Sequence, residues 1–152
     1  MSINDKLNYF YDNTALAAIP TSDVIDLGDD VTTRNVGGKD PVFLVIQTGG
    51  VAPTDSGSDA TLRFQLASDS VATLNSSPTT HIDTGALSFA TVAVANKVLL
   101  VAPLPFGNYE RYLGLLATVA SGPFTAGSVR AFLTRDPQFW TALGSNNPSS
   151  HN

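Results

Sequence analysis

Few side chains in this sequence are suited to chemistry. There are two histidines, His81 and His151, no cysteine, and a single glutamate, Glu110; every other acid is an aspartate. Disulfides and thiolate chemistry are therefore excluded, and two distant histidines are a poor ligand set for zinc. A Ser-His-Asp triad would have to recruit His81 from a Pro- and Thr-rich connector, and no G-x-S-x-G elbow accompanies it. His81 reads as an ordinary surface residue, and His151 is the penultimate residue of a polar tail. Glu110 and Arg111 are adjacent, and neighbours on a strand point to opposite faces. They read as a strand-end pair with structural or interface duties rather than as an acid with its charge partner. Glycosidase chemistry needs two facing carboxylates, and no such pair stands out among the aspartates.

Asp23, Asp26, Asp29 and Asp30 form one acidic cluster, and Asp55-Ser56-Gly57-Ser58-Asp59 another. Neither has the alternating acids and distant bidentate glutamate of an EF-hand loop, so turn capping is the stronger reading than calcium. Gly37-Gly38-Lys39 and Gly49-Gly50 do not match a phosphate-binding loop. No catalytic, metal or cofactor residue is expected, and the chain reads as non-enzymatic. The aromatic residues are stronger candidates. Tyr9-Phe10-Tyr11 precedes the first regular β segment and Phe139-Trp140 follows the last. They either fold back to cap their own domain or anchor a neighbouring subunit, where large rigid rings are effective.

The elements that must position these residues are β-strands. With 12 Gly, 9 Pro and aspartate as the dominant acid, the composition suits many short strands joined by turns. Val42-Phe43-Leu44-Val45-Ile46 is an unbroken apolar run between Pro41 and Gly49-Gly50, the pattern of a strand buried on both faces. Residues 61–66 alternate instead: Leu62, Phe64 and Leu66 share one face, Thr61, Arg63 and Gln65 the other. Further strands are expected over 24–28, 86–95, 97–101, 111–119 and 129–134, with a tight loop at 122–127. Residues 49–59 read as a long mobile loop. The sequence thus predicts an all-β, jelly-roll-like antiparallel sandwich over 24–135, an N-terminal arm over 1–23 and a C-terminal tail over 136–152.

At 152 residues and 43% apolar, the chain can bury one sizeable core. Charged residues are only 14%, against roughly 25% in ordinary soluble proteins, which suits a component of an assembly. A net charge of −5 with scattered bases argues against nucleic acid as a partner. No run is long and apolar enough for a membrane span or a signal peptide.

Four segments occur in order: Thr21-Ser22-Asp23-Val24-Ile25-Asp26-Leu27-Gly28, Pro41-Val42-Phe43-Leu44-Val45, Glu110-Arg111-Tyr112-Leu113 and Gly122-Pro123-Phe124-Thr125-Ala126-Gly127. Together they resemble the cement (head decoration) proteins of tailed-phage capsids. The similarity covers roughly residues 5–132. It implies a jelly-roll domain on the outer face of a virion capsid, made in the host cytoplasm. Such a domain bridges copies of the major capsid protein and associates with itself as a homodimer or homotrimer. The loops at 29–40 and 49–59 look longer than the family pattern, and the tail after Arg135 has no counterpart. The competing reading is a carbohydrate- or receptor-binding sandwich of a head fibre or tail, with Tyr9, Tyr11, Tyr109, Tyr112 and Trp140 as an aromatic platform.

Overall fold

A computed structural model describes residues 6–29, 35–36 and 41–138. After a 3-10 turn at Lys6–Asn8 come β1 (Tyr9–Ala15), β2 (Ile25–Asp26), β3 (Asn35–Val36), β4 (Phe43–Thr48), β5 (Thr61–Asp69) and β6 (Thr79–Asp83). The single-turn helix α1 (Phe89–Val92) follows, then β7 (Val98–Pro103), β8 (Gly107–Asn108), β9 (Tyr112–Ala120) and β10 (Ser128–Thr134). One sheet, A, has the order β1-β10-β4-β7, and a second, B, the order β2-β9-β5-β6; β3 and β8 form a small ribbon.

The pairing is nested. Apart from that ribbon, the first strand pairs with the last and so on inward: β1 with β10, β2 with β9, β4 with β7, β5 with β6, all antiparallel. This long hairpin is rolled so that β10 also meets β4 and β9 meets β5. The result is the eight-stranded jelly roll, and the expectation of an all-β sandwich holds. Leu44, Ile46, Val129 and Ala131 of sheet A pack against Leu62, Phe64, Leu66, Leu113 and Leu115 of sheet B to form the core.

Several local readings differ. Tyr9–Ala15, expected in the N-terminal arm, is a strand of sheet A. Its sequence does not alternate because register shifts fall on either side of Tyr11, and Asn13 takes a left-handed φ of 51°. Bulges of this kind turn successive residues inward, and Phe10 and Tyr11 are both buried in the core cluster. Residues 86–95 are not a strand: Leu87 makes one bridge to Leu62, and the chain then turns through α1, burying Val92 and stacking Phe89 on Phe124. Strand β6 lies in what reads as a connector. The 49–59 loop is tied down, since Thr54 N–H donates to the Ala126 carbonyl at 3.0 Å and Thr125 N–H to that of Thr54 at 2.8 Å. Of the expected tail, only residues 136–138 are among those described.

Candidate docking surface

Sheet A and the Leu104–Asn108 connection bring two exposed apolar side chains to one end of the sandwich. After β7 the chain buries Leu104 and, beyond β8, Tyr109, whose hydroxyl donates to the Pro105 carbonyl at 2.7 Å. Burial pushes that phenol's pKa up to about 12. Fixing both flanks inward leaves Phe106 between them facing out, 75% exposed. The registers Tyr9↔Phe132, Thr134↔Phe43 and Phe43↔Pro103 place the Lys6–Asn8 turn at the same end. Leu7 in that turn is 80% exposed. Leu7 and Phe106 are thus the two most exposed large apolar side chains among the described residues.

Glu110 and Arg111 lie beside this end and diverge, as their adjacency requires. Arg111 Nε and Nη2 donate to the two carboxylate oxygens of Asp26 at 3.0 and 2.9 Å, and Nη1 reaches Asp29. Its guanidinium carbon sits 4.9 Å from the Tyr112 ring centre. The hydrogen bond to Asp26, with the charges of Asp26 and Asp29, holds the guanidinium pKa above its ordinary value. Glu110 faces the other way: its carboxylate accepts the Thr79 hydroxyl at 2.9 Å, and its N–H donates to Ser68 Oγ at 3.0 Å. The pair ties β2, β5 and β6 to the start of β9. Asp26 also accepts Gly28 N–H at 2.9 Å, where Gly28 has φ 92°, so this acid caps a turn. Asp55 likewise accepts the N–H groups of Asp59 and Ala60 at 3.0 and 2.9 Å. Among the described residues no group of three or more potential ligands is placed to hold a metal ion.

His81 is more constrained than its connector position implied. The β5–β6 register skips it between Leu66↔Ile82 and Ala67↔Thr80, so it is the bulged residue, and bulges re-aim side chains. Its ring stacks on Tyr109 at 3.9 Å between centres, and its Nε2 lies 2.8 Å from Ser68 Oγ. Desolvation lowers the imidazole pKa against an opposing pull from Glu110. Ser, His and Glu thus come together, but Ser68 is 0% exposed and Glu110 holds Thr79 rather than the imidazole. A nucleophile must meet its substrate; this cluster instead fastens β6 to the Tyr109 loop. An apolar cleft of ≈ 190 Å³ at the other end, lined by residues such as Leu16, Ile19, Ala117, Val119, Pro123 and Phe124, contains no titratable side chain.

The candidate residues therefore separate. Tyr9 is half-buried and packs against Phe132, with ring centres 5.1 Å apart and the planes tilted by 39°. Phe10 and Tyr11 are core residues; the Tyr11 hydroxyl lies 2.8 Å from the Pro20 carbonyl and 3.1 Å from that of Leu115, bridging toward sheet B, and burial raises its pKa. Both are withdrawn from any interface. Glu110 and Arg111 remain at the surface, while Phe139 and Trp140 lie outside the described residues. Sequence reasoning missed Leu7 and Phe106. The one available signal was an aromatic between Pro105 and Gly107, a turn that has little room to bury it.

The described residues form a jelly-roll β-sandwich that exposes Leu7 and Phe106 near the Glu110–Arg111 pair. The Bbp16 family profile matches residues 12–133, well over half of the 152-residue chain, and the chain belongs to that family. No curated protein matches it significantly.

Proposed function

We propose that this protein is a structural component of a tailed-phage virion, a cement protein that binds the outside of the capsid and stabilises contacts between major capsid proteins. The observation that carries the reading is the exposed Leu7 and Phe106 at one end of the sandwich, beside the ordered Glu110–Arg111 pair. The four ordered segments of resemblance and a family name that points to phage proteins support it. The mechanism is linkage: a protein that binds the finished shell, and not its precursor or fragments, stabilises that shell by mass action. Weak contacts repeated over a lattice add through effective concentration. An acidic surface also suits the outside of a DNA-filled shell.

The test is to mix the purified protein with undecorated capsids and measure copies bound per capsomer. Saturable binding at a fixed stoichiometry, weakened at least about tenfold by Phe106→Asp with unchanged thermal stability, is expected. Absence of binding by the intact protein sinks the proposal. The carbohydrate-platform reading has less support. Tyr11 and Tyr109 are buried, Tyr9 packs against Phe132 and Tyr112 lies under Arg111.

A further inference from the structure

Ser68 is 0% exposed, so its hydroxyl must find its partners inside the protein. The oxygen accepts Glu110 N–H at 3.0 Å and lies 2.8 Å from His81 Nε2. A serine hydroxyl has one hydrogen to give, and among the described residues His81 Nε2 is the acceptor it reaches. Nε2 is therefore the bare nitrogen of a neutral imidazole whose own proton sits on Nδ1. A second proton, on Nε2, would set two donors face to face. The Ser68 hydrogen would then be left without an acceptor in a site that water does not enter.

The charged groups around the ring are committed elsewhere. The Glu110 charge draws a proton toward the imidazole, but its carboxylate already accepts the Thr79 hydroxyl, and desolvation outweighs its pull. On β5, Asp69 beside Ser68 gives its carboxylate to Ser76 N–H at 2.7 Å. On β6, Asp83 is bonded by Arg63, and at the start of β9 Arg111 is turned to Asp26 and Asp29. The 104–108 connection carries no titratable side chain. What the imidazole does touch is Tyr109, with ring centres 3.9 Å apart and planes 24° apart. The far end of that tyrosine donates to the Pro105 carbonyl at 2.7 Å, and Pro105 precedes the exposed Phe106. One continuous series of contacts thus runs from buried Ser68 through His81 and Tyr109 to the residue left in water. An imidazole that gains its second proton must swing from Ser68 toward Glu110 or water, and a ring stacked this closely cannot keep its place.

We infer that His81 is a proton-operated latch on the Leu104–Asn108 connection. The neutral Nδ1–H imidazole, bonded by Ser68, pins Tyr109 and through it holds Phe106 outward; protonation at Nε2 releases both. Acid then loosens the exposed end of the sandwich while sheet A stays paired. The inference concerns the free chain and stands or falls apart from capsid binding. Where Phe106 docks as proposed, acidification weakens that docking.

The test is an NMR titration of the full chain carrying His151→Gln, which leaves His81 as its one imidazole. Ring nitrogen shifts should show the Nδ1–H tautomer at pH 7.5, the opposite of the one free neutral histidine favours, and a midpoint below about 6.5. The Phe106 amide should titrate with that same midpoint, and the amides of β4 and β7 should not. Tyr109→Phe keeps the stack and removes the hydroxyl. It should leave the His81 midpoint within about 0.3 pH units while the Phe106 response falls at least about threefold. Ser68→Ala, which removes the bond that favours the neutral ring, should raise the midpoint by at least about half a pH unit. A native ring protonated on Nε2 at pH 7.5, or titrating at or above the free-histidine value, overturns the inference. So does a Phe106 amide that ignores the His81 titration, or one that keeps its full response in Tyr109→Phe.

Discussion

The two outward faces of this sandwich follow opposite plans. On sheet B, the outward positions of β5 and β9 include Arg63 and Thr118, which are exposed, and Thr61 and Gln65, which are partly so. Arg63 and Gln65 both bond the Asp83 carboxylate. Cover appears only near Gly114, where Leu74, Val24 and Ser22 close over the backbone. The loop carrying Leu74 is organised by Asp69, whose carboxylate accepts Ser76 N–H at 2.7 Å. On sheet A, Val45, Phe132 and Gln47 hold the corresponding central positions and are no more than 4% exposed. One face meets water with charge pairs; the other is buried at its centre. A sandwich needs one buried face per sheet, and the central strands of sheet A are buried on both.

The sharpest way to break this comparison is the same substitution on both faces. Val45→Asp buries an unpaired carboxylate and should cost at least about 4 kcal/mol, or prevent folding. Thr118→Asp, opposite Arg63, should change stability by no more than about 0.5 kcal/mol. Urea denaturation of both variants decides, and similar losses would remove the distinction.

A smaller effect is expected where sheet B is covered. A Cβ at Gly114 would lie 2.5 Å from Leu74 Cδ1 and 2.9 Å from Val24 Cγ1, so Gly114→Ala should cost about 1–2 kcal/mol by overpacking. If the Leu74 cover is the cause, adding Leu74→Ala to Gly114→Ala should cost less than it does alone; strict additivity in a double-mutant cycle would count against that cause.

Acid should distinguish the two sheet edges next. His81 holds β6 in its neutral form, with a pKa below the free-histidine value of about 6.5. The unfolded chain therefore takes up a proton first on acidification. The stabilisation is fully present above about pH 6.5 and is lost as pH falls through the lower folded pKa. Between pH 7.5 and 5.5, amide protection, corrected for the intrinsic exchange rate at each pH, should fall in β6 before β7, and His81→Gln should abolish the difference. Carboxylates such as Asp83, held low chiefly by the Arg63 hydrogen bond, matter only at more acidic pH. The smallest effect is expected for Arg63→Ala, whose ion pair with Asp83 is solvent-exposed. Any loss should shrink further in high salt; a salt-insensitive loss would show that the arginine acts by packing.

Legibility followed the size of the local signal. The run Val42–Ile46 was readable as a strand buried on both faces because every side chain in it is apolar, and β4 is that strand. The alternation of 61–66 was readable because one polar and one apolar face are written into adjacent residues. Tyr9–Ala15 was not, since its bulges are imposed by β10 and break the period. Thr79-Thr80-His81-Ile82-Asp83 has no apolar alternation and becomes a strand because β5 offers it an edge. At the surface, the divergence of Glu110 and Arg111 follows from their being neighbours. The Ser68–His81–Tyr109 cluster joins β5, β6 and the chain just before β9, so no pattern within one element could announce it.

The sequence by itself determined the all-β character, the strands with strong periodicity and the turn at 122–127, because these rest on interactions between near neighbours. Only the tertiary structure decided that Phe10 and Tyr11 belong to the core, that Phe106 is left in water and that Val45 and Phe132 are covered. Those outcomes depend on which strands become neighbours in the rolled hairpin, and burial is a property of what lies across a side chain rather than of the side chain itself.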